Sequence, residues 1–194
     1  MKGLSTNARS EIRAAILDGD IDKAIKHTNA YYSKALQDNP QIQFKLRCRK
    51  FLEMVRRCSE LSSAISKRGK HSNGVAAEES TSDQEMEVDD QAHDHEEDGE
   101  DGGMDLEDPD SSSSMMRFNQ LLTEAVQYGQ QLRMDYPSDE NGGDKKFRDD
   151  IFSLVAYPDP WNSVHGHYLD PAGRVIVAEE LNSAILGEVY FHLL

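Results

Sequence analysis

From His71 to Met116 the chain carries no lysine, no arginine and no aromatic residue. Within that stretch, Glu78 to Asp110 holds 17 of the chain's 36 acidic side chains. Such a segment has little apolar surface to bury and nothing to offset the entropy of ordering it. The sequence therefore predicts a long disordered acidic insert, residues 71–114, between two foldable parts, residues 1–70 and 115–194. Without residues 78–110 there remain 19 acidic against 21 basic side chains, a net charge of +2 in place of −15. The acidity belongs to the insert and not to the fold.

The first foldable part reads as successive helices. Asn7 to Leu17 places Ala8, Ile12, Ala15 and Ile16 at helical spacing. Asp18-Gly19-Asp20 stops it, with Gly19 suited to a left-handed C-terminal turn and Asp20 to the next N-cap. Ile21 to Leu36 reads as one helix with Ile21, Ala24, Ile25, Thr28 and Tyr32 on one side. Pro40 fits a first helical position, opening a helix over 41–58. Its core stripe is Phe44, Cys48, Phe51, Leu52 and Val55. Its opposite face is basic: Lys45, Arg47, Arg49, Lys50, Arg56 and Arg57. Leu61 and Ile65 begin a further predicted helix, cut short by the insert.

Beyond the insert, Met115 to Met134 is amphipathic, with Phe118, Leu121, Leu122, Ala125, Gly129 and Leu132 sharing a face. Gly129 there suits a close helix crossing. Lys145 to Ala156 turns Phe147, Ile151, Leu154 and Val155 inward until Pro158-Asp159-Pro160 ends it. Asp170-Pro171 reads as an N-cap followed by proline in the first turn of a last helix. That helix is predicted to reach Leu186, with Val175, Ala178, Leu181 and Ile185 inward and Gly187 as its stop. No stretch alternates with the period of a half-buried sheet. The expected fold class is all-α, an antiparallel helical bundle or stack.

Chemistry is sparse. Phosphate-cradling, dinucleotide and nucleophile-elbow glycine motifs are missing, as are paired C-x-x-C motifs. No cofactor is predicted and no catalytic or metal-binding residue is assigned. Cys48 and Cys58 lie on one predicted helix, about 15 Å apart, too far to bridge; each reads as a buried free thiol. His93 and His95 sit in the insert, and His165 and His167 in a loop, without a third ligand. Ser80 and Ser82 each have an acidic residue three positions on, the pattern of an acid-directed kinase site. The leading sequence MKGLSTNARSEIR has no apolar signal core, and no apolar run approaches a membrane span of ~20 residues. A cytoplasmic or nuclear location is expected.

The candidates for partner contact are Lys45, Arg49 and Arg56 on the basic face, and Trp161. The basic residues suit an acidic partner or the chain's own insert; nucleic acid is disfavoured, because the tethered acidic segment competes with phosphate. Trp161 reads either as a plug in the bundle or as an exposed anchor for a partner helix.

Two stretches carry a family resemblance. EIRAAILDGDIDKAIKHTNAYYSKALQDNPQIQFKLRCRKFLEMVR, residues 11–56, resembles a CTLH motif. FSLVAYPDPWNSVHGHYLDPAGRVIVAEELNSAIL, residues 152–186, resembles the first part of a CRA domain. The pairing resembles RanBPM-like proteins, Ran-binding proteins and scaffold subunits of the CTLH/GID ubiquitin ligase. The resemblance implies an all-α fold and a non-catalytic scaffold, whose partners are other CTLH, LisH, CRA or RING subunits. It also implies a Ran-associated adaptor as an alternative; from charge alone, a binder of basic proteins such as histones is a third. In such proteins a LisH motif and a SPRY domain accompany these parts, and CRA continues for several more helices. Neither motif is recognised here, and the CRA match stops at GEVYFHLL. The expectation is a piece of a larger scaffold, with self-association left unassigned because both halves of the family's dimer contact lie outside it.

Overall fold

The computed structural model describes residues 2–72, 109–137 and 142–191, with side chains over 7–68, 112–137 and 145–190. The predicted acidic insert, with His93, His95, Ser80 and Ser82, falls outside the described residues apart from its edges. Among the described residues every regular element is helical: α1 (Lys2–Asp18), α2 (Ile21–Tyr31), α3 (Ser33–Gln37), α4 (Pro40–Ser72), α5 (Pro109–Asp135), α6 (Gly142–Ser153) and α7 (Gly173–Phe191). Short 3-10 turns occupy Leu154–Ala156 and Gly166–Leu169. The predicted all-α class holds.

The chain's punctuation works as its chemistry dictates. Gly19 adopts φ +83°, and Asp20 N–H reaches back to the Ala15 carbonyl at 2.8 Å. This left-handed helix end favours glycine. The Asp20 carboxylate then accepts the Lys23 N–H at 3.0 Å, capping α2. Pro40 opens α4, and the Asn39 carbonyl accepts the N–H groups of Ile42 and Gln43.

Four expectations need correction. The predicted helix over 21–36 breaks at Tyr32, which turns to φ −140° and ψ 64°. Thr28, Asn29, Tyr31, Tyr32 and Ser33 crowd residues of modest helix propensity into fewer than two turns. Thr28 also bonds its hydroxyl back to the Ala24 carbonyl at 2.7 Å, a bond that bends helices. Secondly, Leu61 and Ile65 start no new helix; α4 runs unbroken for 33 residues, about 50 Å. No proline interrupts it. Thirdly, α5 opens at Pro109, a residue suited to a first turn, inside the segment predicted as insert. Fourthly, α7 starts at Gly173. Asp170 caps a turn instead, accepting the Ala172 N–H at 2.8 Å. Val175 is consequently exposed, while Val177, Ala178, Leu181 and Ile185 face inward, and the helix passes Gly187 without stopping.

The core has two parts that meet at α4. One gathers Ile12, Ile16, Ile21, Ala24 and Leu36 from α1–α3 around Leu46 of α4 and Val177, Leu181 and Ile185 of α7. The other packs Phe44, Cys48, Phe51 and Leu52 of α4 against Leu132 of α5, Ile151 of α6, Leu154 and Leu169. Each part draws on residues from both sides of the insert. Antiparallel α4 and α5 touch at Gly129, where an added Cβ would lie 2.9 Å from the Phe51 ring. The predicted close crossing is there, and Phe51 also meets Phe152 edge to face at 5.1 Å.

Candidate partner-binding surface

The basic residues of α4 do not form one open face. Lys45 pairs with Glu180 of α7 at 2.6 Å, Arg47 with Asp135 of α5 at 2.6 Å, and Lys50 with Asp22 of α2 at 2.7 Å. Each cation reaches a different neighbouring helix. Arg57 is left exposed.

Arg49 is the largest departure. Predicted as a surface cation, it is 3% exposed. Its guanidinium donates to Glu53 at 2.7 Å and to the Tyr168 and Asp170 carbonyls at 3.2 and 3.1 Å. Glu53, equally buried, also accepts two bonds from Arg174 of α7, at 2.8 and 2.6 Å, and one from Arg56 at 3.2 Å. Arg174 completes its set by donating to the Leu17 carbonyl at the end of α1, 2.9 Å away. One carboxylate thus gathers three arginines and ties α4 to α7, to the end of α1 and to the 168–170 turn. Gly19 belongs to the same junction: a Cβ there would lie 2.7 Å from Arg174 Nη2.

Burial alone would push the Glu53 carboxyl up. The hydrogen bonds from Arg174 and the charge of Arg49 outweigh it and hold it below the usual glutamate range. Burial lowers Arg49, partly offset by Glu53, whereas the hydrogen bonds to Glu53 raise Arg174. Glu53 and Arg174 were missed in the sequence. The available signal was the i, i+4 pair Arg49–Glu53 beside the apolar stripe, but nothing local announced the partner on α7.

Lys45 and Arg49 do share a feature. They line a groove of about 540 Å³ between α4 and α7, walled by Phe44, Leu52, Phe147, Tyr168 and Val177, with Ile176 and Glu180 on its α7 side. Ile176 is 64% exposed, and Val175 beside it is exposed too. Arg56 lies in the ionic junction, away from this groove. Trp161 sits in the turn that packs beside Cys58 and Ser59. It is not a plug: 41% of it is exposed, and Pro160 is buried instead. Asp159 fixes its backbone by accepting the Trp161 N–H at 3.1 Å, and Gly166 leaves room for the Trp161 carbonyl.

The remaining candidates serve packing. Cys48 and Cys58 are buried thiols with no disulfide between them, and burial together with Glu124 pushes the Cys58 thiol up. His165 faces Asp150 at 3.7 Å and His167 lies against the Tyr168 ring. No cluster of metal-ligating side chains occurs among the described residues, and no described helix is long and apolar enough to cross a membrane.

A family model described as the CTLH/CRA C-terminal to LisH motif domain matches residues 5–190. The chain belongs to this CTLH/CRA family. The match takes in both sides of the insert, as the two parts of the core do. Among its relatives, Ran-binding protein 9 of Danio rerio is 25% identical over 270 aligned positions, covering 94% of this chain and 45% of that protein. Human Ran-binding protein 9 is 43% identical over 76 residues, 39% of this chain and 10% of that protein. Ran-binding protein 10 of Danio rerio is 39% identical over 87 residues, 42% of this chain and 14% of that protein. The CTLH/CRA chain thus spans less than half the length of these curated relatives. No solved structure matches it.

Proposed function

We propose that the chain is a non-catalytic, intracellular interaction scaffold that works as a subunit of a CTLH-type ubiquitin ligase. The observation that carries this reading is the family match over residues 5–190. The groove between α4 and α7 supports it, because it offers apolar walls beside the exposed Ile176 and matched charges at its edge. Such a groove suits the apolar face of a partner helix. Trp161 and Lys45 are the candidates for contact that remain at the surface. Arg49 and Arg56 act indirectly, by holding the α4–α7 junction in shape.

Affinity purification from the native cells tests this reading. RING-bearing and other CTLH subunits are expected to co-purify with the chain, and Ile176→Asp is expected to release at least one of them. Repeated absence of every such subunit would sink the ligase assignment. The names of the relatives supply a second reading, an adaptor associated with Ran. Direct binding to purified Ran, undiminished by Ile176→Asp, would favour it.

A further inference from the structure

A recess of about 260 Å³ opens beside the C-terminal half of α4. Val55 and Cys58 of α4, Phe118 and Leu122 of α5, and Tyr157 and Pro160 from the segment after α6 form its walls. No charged side chain lines it. It falls below the ~300–1,000 Å³ typical of small-molecule pockets, and one large side chain would fill it.

The same face carries such a side chain. Trp161 follows Pro160 directly and is exposed, as are Tyr157 and Val164 nearby in sequence. Hydrogen bonds fix the turn that holds it. Asp159 accepts the Trp161 N–H at 3.1 Å and an Asn162 side-chain N–H at 2.6 Å. The Ser163 hydroxyl donates to the Pro160 carbonyl at 2.7 Å, and the Gly166 N–H to the Ser163 carbonyl at 3.0 Å. An anchor held in this way loses little freedom on binding, and tryptophan is enriched among the residues that dominate interfaces.

A knob and a hole of the same apolar character, side by side on one face, are what a two-fold pair requires. Each copy then offers its knob to the other's hole. Charge points the same way. Asp159 and Lys67, both exposed and of opposite sign, border a shallower volume of about 320 Å³ that adjoins the recess at Ser59, Ser62 and Pro158. A two-fold axis between them turns Lys67 of each copy toward Asp159 of the other. A uniformly acidic or uniformly basic surface matches only one of the two.

We propose that two copies of this chain pair through this face, Trp161 of each filling the recess of the other. The pairing goes beyond the scaffold reading, and the recess shares no lining residue with the α4–α7 groove. Trp161 is the chain's single tryptophan, so its fluorescence reports the contact directly. The full chain is followed by sedimentation equilibrium and by emission from about 1 µM to about 1 mM. Salt of ~0.15 M screens the net charge of −15 beyond about 8 Å. The mass is expected to rise to that of two chains, and Trp161 emission to move to shorter wavelength in step with it. Trp161→Ala removes the knob and Ser62→Arg blocks the hole. Each alone is expected to weaken association at least about tenfold with an unchanged melting temperature. Excess Trp161→Ala chain, which has no tryptophan of its own, supplies an open recess and is expected to restore the emission shift of Ser62→Arg. A chain that stays monomeric throughout would overturn the proposal. So would a dimer whose Trp161 emission does not move, association that either variant leaves intact, or a mixture without recovery. Co-purification of ligase subunits is read separately, so either reading can fail while the other stands.

Discussion

Glu53, which sequence patterning passes over, joins Arg49, Arg56 and Arg174 in one junction. Truncating it leaves Arg49 and Arg174 buried without a counter-charge, a loss of about 3–5 kcal/mol. Glu53→Ala is expected to lower the urea midpoint accordingly, or to prevent folding. Acid gives a gentler test. The folded carboxyl titrates below its unfolded value, so its contribution is fully present above the unfolded pKa, about 4.3. It is lost as pH falls through the lower, folded value. Stability is therefore expected to drop with acidification below about pH 4, and Glu53→Gln to flatten that limb; an unchanged limb would remove Glu53 as its source. At Gly19, alanine meets both a left-handed φ of +83° and the Arg174 guanidinium. Gly19→Ala is expected to cost more than about 1 kcal/mol, read by calorimetry.

Elements show which features local sequence encodes. Gly129→Leu drives a side chain into the Phe51 ring, and about 1–3 kcal/mol is the expected penalty in denaturant unfolding. That crossing was legible because a glycine sat on an apolar helical stripe. The Gly19–Asp20 hinge and the Pro40 start were legible because φ, cap and ring chemistry act within a few residues. The ionic junction was not. Periodicity places Arg49 on the side of Lys45 and Arg56, but Glu53 meets Arg174 across 121 positions of sequence. For the same reason the pattern points Val175 inward and the structure does not: the inward position in that turn is taken by Arg174, a residue patterning assigns to water. The break at Tyr32 and the continuity of α4 through Ile65 failed differently, since propensity is a weak guide where packing decides. Of the candidate contact residues, Lys45 is exposed, at a groove that helical periodicity does not reveal, whereas Arg49 is buried.

For the molecule as a whole, the acidic stretch adds charge, while among the described residues both parts of the core come from either side of it. Replacing residues 78–108 by a flexible linker is expected to leave the melting temperature within a few degrees, since loop length changes closure entropy only slowly. A large loss in circular dichroism melts would show that the insert is part of the fold. The shared role of α4 reaches further. Leu46 belongs to one part of the core, Phe51 and Leu52 to the other, and a single run of helix holds them. Backbone amides in that run are shielded from deuterium on both flanks. They are expected to exchange last and only through complete opening, so neither half can be released, by heat or by a partner's pull, while the other keeps its structure.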